Sequence, residues 1–187
     1  MRMVADQIAA TLAIADVRHA PLPAVKQFRA ACQAAALERF DAPLVSATIV
    51  MPGPAKNGVL PQSLLTEAIG EIQAMVGTRK WPLLLREVMW SDSGPEAIYV
   101  VDVKPRLLKS ATVELEDRHP LGGLWDLEVV APGQRVLSRK LLGLPERRCL
   151  VCERPASECG RARRHSLPEL LDVMQRILKR YGHSSPC

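Results

Sequence analysis

The chain has 187 residues, long enough for one domain with a buried core, and its 48% hydrophobic and 24% charged residues are ordinary for a globular protein. No run approaches the roughly 20 apolar residues of a membrane span, which excludes a helical membrane protein on sequence grounds. A net charge of +5 and a pI near 9.1 favour anionic partners, while only 4% aromatics and no basic low-complexity arm argue against nucleic acid.

In chain order, Val4, Ile8, Leu12 and Ala15 recur at helical spacing. The segment holds an acid and lacks a signal-peptide layout, so a cytoplasmic protein is expected. A second helix is predicted from Pro23 to about Phe40, ended by Asp41-Ala42-Pro43. The period then changes. Leu44–Met51 is β-branched and apolar and reads as a buried strand. After the loop PGPAKNG, Leu60–Val76 reads as a helix with Leu64, Leu65, Ile69, Ile72 and Val76 on one side and Gly77 as its stop.

Pro82–Trp90 and Ala97–Val103 read as strands around a Ser91–Pro95 turn. Pro105 opens a helix to about Asp117, and Leu124–Val130 is a fourth strand. Pro132-Gly133 turns the chain into Gln134–Leu142, a returning hairpin strand. The last helix spans Leu167–Tyr181, with Leu167, Leu170, Leu171, Met174 and Leu178 inward. The order β-α-β-β-α-β is that of a ferredoxin-like α+β core: an antiparallel sheet with helices on one face. The chain is expected to be a single domain: a helical appendage (1–41), the catalytic core (42–145), and a Cys/Arg-rich segment with a C-terminal helix (146–187).

Asp126 and Glu128 are two apart on the fourth strand and share a face. Two carboxylates there repel unless a cation lies between them, and Mg²⁺ with substrate phosphates is the usual resolution. A solvated face with alternating acids is the alternative. Cys149, Cys152, Cys159 and His165 have the number and chemistry of a tetrahedral Zn²⁺ site, which requires ligand atoms within about 4 Å of one another. The alternative is three loop thiols and a surface His. Five cysteines in all, the others being Cys32 and Cys187, argue against a disulfide scaffold. Arg147, Arg148, Arg154, Arg161, Arg163 and Arg164 surround the cluster, either as a solvated face or as a landing site for phosphates or an acidic partner. Lys56, in the loop after the first strand, can meet a phosphate, although the loop lacks the Gly-Lys-Ser/Thr ending of a P-loop; an ordinary connecting loop is the alternative.

The stretches Leu44–Lys56, Ser93-Gly94-Pro95-Glu96, Ala111–Leu137 and Arg148–His165 together resemble the apo-citrate lyase phosphoribosyl-dephospho-CoA transferase family, also called holo-citrate-lyase acyl-carrier-protein synthase. The resemblance implies a nucleotidyltransferase. Its donor would be triphosphoribosyl-dephospho-CoA, its acceptor a serine of the citrate lyase acyl carrier (gamma) subunit, and pyrophosphate would leave. With that reading, Asp126 and Glu128 are expected as Mg²⁺-binding catalytic carboxylates, His119 as a base or phosphate donor or equally as a structural histidine, and Lys56, Arg118, Arg161, Arg163 and Arg164 as substrate or carrier contacts. Two positions depart from the family pattern: Gly123 stands where Arg is usual, and Glu128 where Asp is usual. Arg118 is near enough in sequence to stand in for the missing guanidinium. A fainter likeness links Leu124–Leu144 to the metal-binding strand of hydroxymethyl-dihydropterin pyrophosphokinase. The competing expectations are therefore a pyrophosphokinase-like nucleotidyltransferase with a small acceptor, and a zinc-stabilised module that binds carrier proteins without chemistry.

Overall fold

The computed structural model describes residues 22–52, 58–91 and 93–184. The expected first helix around Val4–Ala15 and the Lys56 loop lie outside the described residues. Helix α1 (Leu22–Phe40) ends where Asp41 turns left-handed at φ 47° and its N–H donates to Leu37 O at 3.0 Å. Strand β1 (Leu44–Ile49), helix α2 (Val59–Thr78), strands β2 (Leu83–Met89) and β3 (Glu96–Val101), helix α3 (Pro105–Arg118) and strand β4 (Trp125–Ala131) follow. Strand β5 (Arg135–Leu137), the short helix α4 (Ala156–Arg161) and helix α5 (Leu167–Ser184) come last among the described residues. Among the described residues, no helix is long and apolar enough to cross a membrane.

The five strands form one sheet in the order β2-β3-β1-β4-β5, every neighbouring pair antiparallel. The fold is therefore α+β. Leu64, Leu65, Ile72, Leu108, Leu121 and Leu124 pack with Val45, Tyr99, Trp125 and Leu127 on one sheet face. Each large side chain removed from water there contributes about 1.5–3 kcal/mol. Trp125 has no exposed surface, and its indole N–H donates to Leu64 O at 3.2 Å, which ties β4 to α2.

The two core helices α2 and α3 both pack on that face, and the appended helix α1 covers the other. Ala36 and Leu37 of α1 pack against Leu44, Ile98, Val100 and Val130 on the opposite face. These strand residues are apolar on both sides, so the second face also needs a cover. Three expectations of detail change. Gly77 lies inside α2, and the left-handed residue after it is Lys80 at φ 53°. The returning hairpin strand is only Arg135–Leu137, because a 3₁₀ turn takes over at Arg139–Leu142. In α5, Met174 is buried while Leu167 and Leu171 are 42% and 37% exposed; Ile177, Leu178 and Tyr181 complete its packed side. The start of α5 is a capping box that the sequence analysis missed: Ser166 Oγ accepts from Glu169 N, and Ser166 N donates to the Glu169 carboxylate at 2.8 Å.

Candidate active site

Strand β4 buries Trp125, Leu127 and Val129 and exposes Asp126 and Glu128. Its register against β1 sets Thr48 beside Asp126 and Ser46 beside Glu128. Cross-strand partners share a sheet face, so these four side chains form a polar field next to the apolar area under α1. Glu96 of β3 belongs to the same face. It is 1% exposed and held by Ser46 Oγ at 2.6 Å, Gln33 Nε2 at 3.1 Å and the Arg29 guanidinium at 2.8 Å. Arg29 also donates to Gly94 O at 2.7 Å, which fixes the Ser93-Gly94-Pro95 turn to α1. Between them lies a cleft of about 100 Å³ lined by Arg29, Thr48, Met51 and that turn.

The outer edge of β4 is closed by side chains beyond the reach of β5. Leu127 N donates to the Glu116 carboxylate at 2.8 Å, and Leu127 O accepts from Lys109 Nζ at 3.2 Å. Arg139 grips Glu116 at 2.6 Å and Asp117 at 2.8 Å. Burial pushes the Lys109 ammonium below its usual pKa, with Arg139 acting the same way, while Glu116, Asp126 and Glu128 pull it back up. Glu128 is raised above the usual carboxylate value, first by loss of water and then by Asp126; Lys109 opposes this and Glu96 adds to it. Arg147 donates to Gly123 O at 2.6 Å and Gly122 O at 3.3 Å, and a guanidinium nitrogen sits 4.0 Å from Asp126. Gly122 is required by close approach: a Cβ there would lie 2.5 Å from the carbonyl oxygens of Leu115 and Glu116.

The other sequence-predicted residues fall elsewhere. His119 stacks on Trp125 at 4.4 Å, and its Nδ1 accepts from Leu121 N at 3.1 Å. It therefore lies on the α2 and α3 side of the sheet, away from Asp126 and Glu128. Burial lowers its pKa, with Glu71 and Glu67 opposing. Arg118 is 79% exposed and pairs with Glu114 at 2.7 Å. Arg161, Arg163 and Arg164 are exposed on and just after α4. The guanidinium beside Asp126 is thus that of Arg147, and no contact joins Arg118 to that carboxylate.

The four predicted zinc ligands do converge. One ligand atom from each of Cys149, Cys152, Cys159 and His165 lies within 4.8 Å of the others, slightly wider than expected. Cys152 Sγ is 3.6 Å from Cys159 Sγ and 3.4 Å from His165 Nε2. Tetrahedral bonds of about 2.0–2.3 Å require edges of roughly 3.3–3.8 Å, so these two edges already fit. Burial and the two neighbouring thiols push Cys159 up to about 11, whereas hydrogen bonds to Cys149 outweigh its own burial and lower it. A cation among the sulfurs would offset the cost of ionising them. The cluster can hold a metal ion.

Sequence reasoning missed Arg29, Ser46, Glu96, Lys109 and Glu116. Ser46, Glu96 and Glu116 fall within the stretches that carry the family resemblance, whereas Arg29 and Lys109 are brought in by helix packing.

Comparison with known proteins agrees with the resemblance. The family profile described as apo-citrate lyase phosphoribosyl-dephospho-CoA transferase matches residues 22–181. A Citrobacter koseri protein of that name is 41% identical over 150 residues, covering 80% of this chain and 82% of the relative. An Escherichia coli O7:K1 protein of that name is 40% identical with the same coverage. A Shigella boydii protein of that name is 39% identical over 142 residues, covering 76% and 78%. On the profile match and these identities, the chain belongs to the apo-citrate lyase phosphoribosyl-dephospho-CoA transferase family.

Proposed function

We propose that this enzyme transfers the phosphoribosyl-dephospho-CoA group from triphosphoribosyl-dephospho-CoA to a serine hydroxyl of the citrate lyase acyl carrier subunit, in the cytoplasm. The serine oxygen forms a bond to the phosphorus next to the ribose, the bond from that phosphorus to the terminal diphosphate breaks, and pyrophosphate leaves. The hydroxyl proton passes to solvent or to a base. The observation that carries this reading is the exposed Asp126–Glu128 pair on the sheet face where Thr48, the neighbour of Asp126, lines a cleft, in a chain of this family.

Asp126 and Glu128 would hold Mg²⁺: Glu128 is raised mainly by loss of water and secondarily by Asp126, and two carboxylates on one strand face call for a cation. When bound, the ion would neutralise charge on the donor phosphates. Arg29 lines the cleft and Arg147 flanks Asp126, so both suit phosphate oxygens. Lys109 adds positive charge behind the strand. Stacking on Trp125 supports a structural role for His119. The sheet order and the two helical crossovers α2 and α3 support reading the core as ferredoxin-like. Zn²⁺ is the ion that suits the Cys₃His donor set, because thiolates and imidazole select it over Mg²⁺.

The test is intact-mass analysis of the apo carrier subunit after incubation with enzyme, donor and Mg²⁺. The carrier should gain the phosphoribosyl-dephospho-CoA mass. Asp126→Asn and Glu128→Gln should each lower labelling by at least roughly a hundredfold. Pyrophosphate release without a gain in carrier mass would replace this reading with a small-acceptor transferase.

A further inference from the structure

We infer that the Cys149–His165 lobe is a zinc-pinned arm that holds Arg147 at the carboxylate edge, where its guanidinium binds the phosphates of the donor. The inference rests on Asp126 and Glu128 being the donor site.

The lobe has almost no core of its own. From residue 146 to residue 166 only Cys159 is buried, and the sole helix, α4, has 6 residues. Burial alone does not explain a fixed conformation there. The four metal-ligating side chains come from three places: the Cys149–Cys152 loop, α4, and the turn before α5. One ion bound by all four would close that loop.

Arg147 is built into the frame of the same loop. Its carbonyl accepts from Ala156 N at 2.8 Å, Cys149 N donates to Arg154 O at 2.8 Å, and Arg148 bridges to Pro155 between them. The backbone of Arg147 is thus two residues from the first thiol and on the same small hairpin. Its side chain leaves the lobe and donates to the carbonyls of Gly122 and Gly123, just ahead of β4. These bonds aim the guanidinium. The other terminal nitrogen then lies 3.9 Å from Glu116 and 4.0 Å from Asp126, close enough for attraction but beyond hydrogen-bond length. A phosphate oxygen arriving beside Asp126 would complete that donor with a charge-assisted bond.

The test uses the full-length protein, zinc analysis, and calorimetric titration with inorganic tripolyphosphate in excess Mg²⁺. The purified protein should carry about one zinc per chain. Arg147→Gln should keep its zinc and its fold, with a melting temperature lowered by the lost bonds to Gly122 O and Gly123 O, and bind the probe roughly tenfold or more weakly, with Arg147→Lys intermediate. Chelator-stripped protein should show the same loss, and Zn²⁺ but not Mg²⁺ should restore binding. Zinc absent from protein expressed and purified with zinc present would overturn the inference. So would probe binding unchanged by stripping. Asp126→Asn separates the two readings. Loss in that variant but not in Arg147→Gln would overturn the inference and leave the carboxylate site standing; loss in neither would overturn both.

Discussion

Replacing Glu128 with Gln removes one of two neighbouring negative charges at nearly constant shape. Glu128 has a raised pKa in the folded protein, through loss of water first and Asp126 second. A carboxyl raised in this way binds protons more tightly folded than unfolded. Its effect on stability is therefore absent at low pH, becomes a cost as pH rises past the ordinary carboxylate value, and is complete above the folded pKa. Residues two apart on a strand face are about 7 Å apart. Coulomb's law with an effective dielectric of about 20–80 then gives roughly 0.6–2.4 kcal/mol of repulsion. Asp126 is 62% exposed, so solvent screening holds the effect to the low end, about 0.5–1 kcal/mol, with the lost attraction to Lys109 subtracting from it. In a chain of this size that raises the melting temperature by roughly 1–3 °C. Thermal unfolding of both proteins at low salt, with divalent ions chelated, should show Glu128→Gln the more stable near pH ~8 and the gap closing near pH ~4. Added Mg²⁺ should stabilise the parent protein more and reverse the order. A variant less stable than the parent near pH ~8 without Mg²⁺ would refute the reasoning, because Glu128 would then be a net structural contributor.

Two further outcomes follow from the geometry. Gly122→Ala should cost roughly 2–3 kcal/mol in denaturant unfolding, because its Cβ would meet backbone oxygens at 2.5 Å; Gly123→Ala, facing only the flexible Leu150 side chain at 3.1 Å, should cost far less. Equal midpoints for the two variants would show that the end of α3 can move aside. Replacing Arg161, Arg163 and Arg164 together by Ser should raise the apparent KM for the carrier subunit several-fold at low ionic strength, with the difference shrinking as salt screens it; a KM that does not change at low salt would remove these residues from docking.

The element order was legible in the sequence because it depends on local signals. The β-branched run from Leu44, the helical spacing in α2 and Pro105 at the start of α3 each act within a few residues. Alternation on β4 likewise put Asp126 and Glu128 on one face, since a strand's period of two is a property of the backbone. The Cys and His spacing identified a cluster that the fold does bring together. What required the tertiary structure is everything set by packing between distant segments. That α1 covers the second sheet face depends on which apolar residues of the sheet remain without a partner. That Glu96 is buried among Ser46, Gln33 and Arg29 depends on strand register and helix placement together. His119 and Arg118 are close to the carboxylates in sequence, yet one stacks on Trp125 on the opposite face of the sheet and the other pairs with Glu114. Arg147, 21 positions beyond Asp126 in the chain, is the arginine that arrives beside it. Sequence distance sets which groups are tethered to each other; the direction in which a strand or loop presents a side chain is fixed only once the rest of the chain has packed against it.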